Sequence, residues 1–519
     1  MAIRNLVNND VVTITNCESE PIHIPGSIQP HGFLLGVTES DHSIIYCSQN
    51  CEKYLSHPAT EILGKSLTHF FSEEEIAKFK LYYQSEDRYL ARPFVFSIQD
   101  KSYNTSAHLS GSCIVMEFEP FVEDTLESPN LYMQTKRFVY HTDRADSLIT
   151  LCQDIANETK LITGYDRVMI YRFDKDSNGQ VIAESKNDDL ESWLGLHYPH
   201  TDIPVQAREL YVRNHIRMIA DINYTPVPLF ARGEVGDTTT VDLSLSSLRS
   251  VSPIHIEYLK NMKVGATFSI SLMHNKKLWG LIACHHYAPK YIPYHIRLAA
   301  HLQSIFLSSQ IDVRQMADDF ELVKDTDKKM QEAIELLSKE ETNISDPAVL
   351  QQLKDVLCAD GILLIHKKEI FTQGVVPEEA AIQPLADWLF KTTQNDSFYT
   401  SRLIDDYPLA ERFSEKVAGL FYKILDPTSK SCIVWMCQPI EKIVNWAGDP
   451  NKELPADRAN QLLTPRKSFE LWKQSVLHQS RDWKRPELNA AAQMGTSIQR
   501  KLHLVELKEE EIRFKNVTI

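Results

Sequence analysis

Of the 519 residues only 17 are glycine and 9 are cysteine, and the 55 Lys and Arg are outnumbered by 70 Asp and Glu. No apolar run reaches the ~18–20 residues that a membrane-crossing helix needs. Residues 1–16 lack the basic start and apolar centre of a secretory signal, so a cytoplasmic location is expected and no membrane partner. The net charge of −15 argues against nucleic acid as a main partner, because phosphate contacts need a basic face. The cysteines are Cys17, Cys47, Cys51, Cys113, Cys152, Cys284, Cys358, Cys432 and Cys437. Their odd number and the absence of C-x-x-C argue against a disulfide framework. Cys47 and Cys51 have no nearby Cys/His pair to complete a metal site, and no metal is expected. There is also no Gly-Gly-Asp/Glu-Glu-Phe segment, no nucleotide-binding glycine motif and no His-Glu box in the last turns. No catalytic site is therefore expected within these residues.

What is present reads as an α+β chain of about three domains, at ~100–200 residues each. Residues 1–30 are loop-like, with Pro21, Pro25, Gly26 and Pro30. Residues 31–130 alternate short apolar runs with turn signals, at 33–37, 43–46, 94–98 and 113–118, and predict a small domain on an antiparallel sheet. In 131–310 a helix is expected over 145–162 and strands over 168–173 and 181–184. A helix opened by Pro204 at its first position follows, then a hairpin of 266–273 and 278–286. A helical pattern runs from Pro293 to about Lys339, well beyond the usual ~25 residues, and reads as a connecting spine.

The third domain, 311–485, has a helix at 349–357 and strands at 361–366 and 431–436. A polar excursion at about 440–475 carries Gly448, Pro450, Pro455 and Pro465; a loop this long in a compact domain is usually functional or disordered. In 486–519, Leu488, Ala492, Gly495, Ile498, Leu502 and Val505 fall near a 3.5-residue spacing, which predicts a coiled coil between two copies, with parallel pairing expected. Leu504 and Leu507 lie on a neighbouring stripe. The helix has no stop signal, so a further domain is expected beyond Ile519.

The chemistry concentrates in two stretches. Tyr198-Pro-His-Thr-Asp202-Ile203-Pro204 places an aspartate before a helix, where its ordinary role is to cap backbone N–H groups. Arg217 and then Arg249-Ser-Val-Ser252-Pro-Ile-His255, with Tyr258, supply two guanidiniums suited to two carboxylates, a hydroxyl donor and an imidazole. His285 adds a second imidazole. Each residue alone has a bland role; the combination does not.

That combination resembles the chromophore-binding GAF domain of phytochromes. Ile28-Gln-Pro-His-Gly32 resembles the same family's PAS domain, and Trp446-Ala-Gly448 with Pro465-Arg466-Lys-Ser468-Phe469 resembles the two arms of the tongue hairpin in its PHY domain. The resemblance covers residues 10–480 in the order PAS, GAF, PHY. It implies a red/far-red photoreceptor that binds biliverdin IXα. Family members that attach a bilin inside GAF do so at a cysteine just before the pocket histidine; here that position is Ile254, so the resemblance implies attachment at Cys17, upstream of PAS. The family's N-terminal segment threads through a GAF insertion, which would fall around 225–250.

The resemblance further implies that Arg217 and Arg249 hold the two propionates, with Tyr211 and Ser252 as partners and Thr267 and Ser269 at the ring C propionate. Asp202 and His255 would take up pyrrole hydrogens, and His285 the ring D carbonyl. Met169, Tyr171, Trp193, Tyr198, Ile203, Pro204 and Tyr258 would wall the pocket. Arg466 would pair with Asp202 before illumination and Ser468 after it, with Trp446 and Pro465 supporting two packings of the tongue. The family's usual Phe-Arg-Pro is Met436-Cys437-Gln438-Pro439 here. The overall sequence looks close to the phytochrome-activated diguanylate cyclases, with sensor histidine kinases as the alternative output.

Overall fold

A computed structural model describes residues 3–7, 20–85, 93–123, 131–232, 240–392, 396–440, 442–449, 456–457, 462–463, 469 and 471–517. They form two compact units, 1–312 with 445–472, and 313–444 with 473–519. Cys17, Pro465, Arg466 and Ser468 lie outside the described residues.

The first unit contains two sheets. In the first, the strand order is Ile3–Asn5, Val227–Arg232, Ile44–Ser48, Phe33–Thr38, Cys113–Pro120, Lys101–Ser110, Phe94–Ile98, and Ser27–Ile28 also pairs with Val227–Arg232. The two faces of Cys113–Pro120 follow from strand alternation. Ile114, Met116 and Phe118 join a core with Phe33 and Phe79, while Cys113 and Val115 join a second core with Leu229, Leu243 and Leu248.

Strand Val227–Arg232 joins the first sheet from within the stretch 131–310. Residues 20–29 run between two parts of that stretch. On one side Ile28 pairs with Val227. On the other, Leu243 N donates to His23 O at 2.8 Å, Gln29 N to Leu248 O at 2.7 Å and Ser250 N to Ser27 O at 3.1 Å. Gly26, at φ +65°, has no room for a side chain, because a Cβ there would meet the Leu6 carbonyl.

The second sheet has the order Ile216–Ile219, Ala266–His274, Lys277–His286, Arg167–Phe173, Gly179–Lys186, His197–Tyr198, Lys442–Ala447, Leu471–Val476. Helix Leu148–Thr163 covers one face. Ser147 caps its start by accepting from Thr150 N, and Gly164 ends it at φ 64°. Leu148, Leu151, Cys152, Ile155 and Ala156 pack there on Val168, Ile170, Ile282 and Cys284. Alternation sends Met169, Tyr171, Leu281 and Ala283 to the opposite face. The helix before Arg217 starts at Val205, with Pro204 as the residue before it rather than its first member.

The second unit is a five-stranded sheet ordered Glu369–Gly374, Gly361–His366, Ser431–Cys437, Gly419–Asp426, Ser397–Thr400. The expected spine is helix Tyr294–Ser338, 45 residues long; Leu307 and Ile311 belong to the core of the second sheet, Ala333 and Leu337 to that of the third.

Helix Arg485–Val517 places part of the expected stripe in a domain core. Ala491, Met494, Ile498 and Leu502 are buried against Leu353, Phe421 and Trp435 of the same chain, with Leu488 packed at the edge. The same spacing serves a domain core and an intermolecular seam alike. The large apolar residues exposed on this helix, among the described side chains, are Leu504, Leu507, Ile512 and Phe514, and Ala492 of the expected stripe is exposed too. Leu502→Ala should therefore lose ~2–5 kcal/mol of stability by urea unfolding, as core leucines do, with the loss unchanged on dilution. Leu504→Ala should stay within ~0.5 kcal/mol. A loss for Leu502→Ala that vanishes on dilution would restore the seam.

Candidate functional site

On the face of the second sheet opposite helix Leu148–Thr163 lies a cavity of ≈ 240 Å³. Strand register builds its floor. Arg217 lies opposite Ser269, Ser269 opposite Ala283 and Ala283 opposite Met169, forming one row across four strands. The next row runs Ile219, Thr267, His285. Opposed residues share a face, so the polar and apolar linings are set by pairing alone.

The walls come from three segments. Tyr198 ends a short strand, and Asp202, Ile203 and Pro204 follow it into the cavity edge. Tyr211 comes from helix Val205–Arg213, and His255 and Tyr258 from one face of helix Pro253–Asn261, their rings 6.1 Å apart and nearly parallel. Pro204 occupies the cap position of the helix, and the Asp202 carboxylate accepts from the Tyr258 hydroxyl at 3.1 Å. Tyr171 and Tyr198 meet at 5.8 Å between ring centres.

Arg249 is buried and Arg217 half-buried, and both donate to main-chain oxygen. Arg217 donates to the carbonyls of Arg249, of Ser250 at 3.2 Å and of Ser247 at 3.4 Å, and Arg249 to Ser244 O at 3.5 Å. Among the described residues neither forms an ion pair with a carboxylate. Burial, and then the neighbouring Arg217, bring the pKa of Arg249 down to about 9. Burial also lowers that of Arg217.

The imidazoles are held neutral. Burial, then Arg217, push His255 down to about 4; burial, then Arg167 and His255, push His285 down to about 3. Nδ1 of His285 is buried without a hydrogen-bond partner.

Fifteen of the expected pocket residues meet at this cavity; Trp193 does not. It stands behind His285, 5.9 Å away edge-on, with the Arg167 guanidinium 3.8 Å from its ring centre. Arg167 in turn pairs with buried Glu184. Trp193 thus backs a wall residue instead of forming the wall.

The polar excursion reaches the same walls. Trp446 pairs in parallel with His197, its ring 5.8 Å from the imidazole. Ala447 is buried in the cluster holding Tyr171 and Tyr198, Gly448 follows at φ 87°, and Phe469 meets Tyr258 edge-on at 5.3 Å.

Sequence reasoning missed Glu20, whose carboxylate lines the cavity and accepts from Ser252 Oγ at 2.8 Å. Nothing in the surrounding sequence marks it. Glu117 and Glu119 were also missed. Their signal was available: in Cys-Ile-Val-Met-Glu-Phe-Glu both fall on the Cys113 and Val115 face of a strand buried on both sides.

Family models match along most of the chain: a PAS fold over residues 17–121, a GAF domain over 147–304 and the phytochrome region over 326–504. The cyanobacterial phytochrome B of Nostoc sp. is 36% identical over 98% of this chain and 68% of its own length. A bacteriophytochrome of Xanthomonas campestris is 32% identical over 93% and 78%. The phytochrome photosensory core module of Stigmatella aurantiaca has a similar structure, with a TM-score of 0.82 at 33% identity, covering 96% of this chain and 99% of that one. A bacteriophytochrome structure from R. palustris gives 0.83 at 32% identity over 94% and 99%. With its three-domain PAS–GAF–PHY architecture, this chain belongs to the phytochrome family of photoreceptors.

Proposed function

We propose that this chain is the sensory part of a red/far-red photoreceptor that holds biliverdin IXα through a thioether at Cys17. The carrying observation is the pair of guanidiniums that line one cavity, Arg249 buried and Arg217 half-buried, with no carboxylate partner among the described residues. Two like charges so placed call for a dianion, and a tetrapyrrole with two propionates is one. The orphaned Nδ1 of His285 offers a further polar contact. Glu20 lines the cavity and is three residues from Cys17, a reach of at most ~10 Å of chain. A small-ligand sensor explains the domains but not two cations with a nearby thiol.

When bound, the tetrapyrrole supplies red-light absorption and Z/E isomerisation at its 15,16 double bond. Arg217 and Arg249 hold the propionates, with Tyr211, Ser252, Thr267 and Ser269 beside them. The Asp202 carbonyl and His255 accept hydrogens, and His285 meets the ring D carbonyl. Met169, Tyr171, Tyr198, Ile203, Pro204 and Tyr258 wall the space. Tyr258 touches both Asp202 and Phe469, so a change at Asp202 is felt directly in the excursion. Arg466 and Ser468 exchange at Asp202 in this reading. The signal passes to a homodimer and to a fused effector, a diguanylate cyclase in preference to a histidine kinase. Curated relatives longer than the matched part support a further region, and the exposed Leu504 and Leu507 support pairing with a second copy.

Protein purified with biliverdin should show a red band that photoconverts; a colourless protein or a fixed band rejects the reading. Cys17→Ala should keep the pigment and photoconvert with shifted bands, while losing it on denaturation. Asp202→Ala should alter both spectra and slow or block photoconversion, and unchanged spectra and conversion would remove Asp202 from the switch.

The histidines give a pH test. Imidazoles of ordinary value 6.5 in the unfolded chain fall to about 4 and about 3 in the fold. The unfolded state therefore binds more protons below 6.5, and stability must fall as pH drops from 6.5 towards 4. The urea midpoint of ligand-free protein should fall between pH 7 and pH 5, and less steeply in His285→Gln. An equal slope in the variant would show that His285 titrates normally.

A further inference from the structure

Glu117 is 1% exposed and does not line the cavity. It sits on strand Cys113–Pro120 of the first sheet, yet most of its contacts are to the stretch that carries Arg249. Its carboxylate accepts from Ser246 Oγ, from Leu248 N at 2.7 Å, from Ser247 N at 3.0 Å and from Ser106 Oγ at 3.4 Å. Arg249 is the next residue. The carbonyls of Ser247, Arg249 and Ser250 are in turn those that hold Arg217, and Gln29 adds a bond to Arg249 O at 3.5 Å.

We infer that Glu117 is a positioning residue of the first domain: by fixing the 246–248 turn it sets both cavity guanidiniums, and with them the affinity for a ligand with two carboxylates. The inference rests on the reading of the cavity given above. Four donors converge on one buried group, which only a carboxylate can accept in full; a glutamine would turn an NH₂ towards some of them. An unmet buried donor is costly, so the turn would shift, and both arginines with it. The charge of Glu117 by itself opposes an anionic ligand, so the two effects have opposite signs and can be told apart.

The test uses the full chain in a Cys17→Ala background, so that binding is reversible, with biliverdin and biliverdin dimethyl ester as the two probes. Glu117→Gln should raise the Kd for the diacid about tenfold and that for the diester less than twofold, a tenfold change being ~1.4 kcal/mol. Equal weakening for both would mean a merely structural residue and overturn the inference, as would unchanged or tighter binding of the diacid. If the parent protein bound neither probe, the reading of the cavity would fail instead. Hydrogen exchange at Ser247 and Leu248 in ligand-free protein then decides the role of Glu117: faster exchange in Glu117→Gln supports it, and equal exchange overturns it. Should that variant not fold, Ser246→Ala removes one donor and should show the same diacid-specific loss at about threefold.

Discussion

Two positive charges in one buried cavity have to be kept from repelling each other, from drawing in water and from tearing the turn that carries them. The chain meets this with main-chain oxygen: Arg217 is held by three carbonyls of 247–250. Carbonyls stabilise a cation without cancelling it, so the field stays available to an anion. The arrangement works only if the carbonyls cannot turn away. Their stretch is hydrogen-bonded to 20–29 and anchored on Glu117, so the second sheet's cavity depends on the first sheet for its electrostatics.

The other wall follows a different rule. Tyr171 and Tyr198 meet ring to ring, as do Tyr258 and Phe469, so these contacts fix shape more than charge. Aromatic contacts tolerate sliding, since offset and edge-on arrangements are close in energy. Trp446 and Phe469 rest on this deformable wall, not on the arginine wall. One side of the cavity is thus built to hold and the other to yield.

Local periodicity made much of this legible. The hairpin of the second sheet, the spine helix and the strands of the third sheet lie within a few residues of where the apolar patterns put them. The pocket residues were legible through clustered polar types in 198–204 and 249–258. Pairing across great sequence distance was not: nothing local in Val227–Arg232 says that its partners are Ile3–Asn5 and Ile44–Ser48. The stripe from Leu488 to Leu502 lies partly in its own domain's core, because periodicity reports that a face is buried, not by what. Trp193 was placed one layer too close, since the cation stacked on it at Arg167 carries no sequence mark. Glu117 could have been found by applying strand alternation to charges as strictly as to apolar residues.

The strand Val227–Arg232 has a consequence for synthesis. Ile44–Ser48 gains its outer neighbour only when residues 229–231 have been made, about 180 residues later. At ~5–20 residues per second that is on the order of 10–40 s. During this interval the first domain carries an open sheet edge, the kind of surface on which chains associate wrongly, while Ile3–Asn5 has nothing to pair with. The N-terminal segment must also still be free to lie between 227–232 and 243–250 when they arrive. Ordering of Ile3–Asn5 and of residues 23–29 is therefore tied to the emergence of segments about two hundred residues away, and this protein's yield of correctly assembled chains should be decided in that interval.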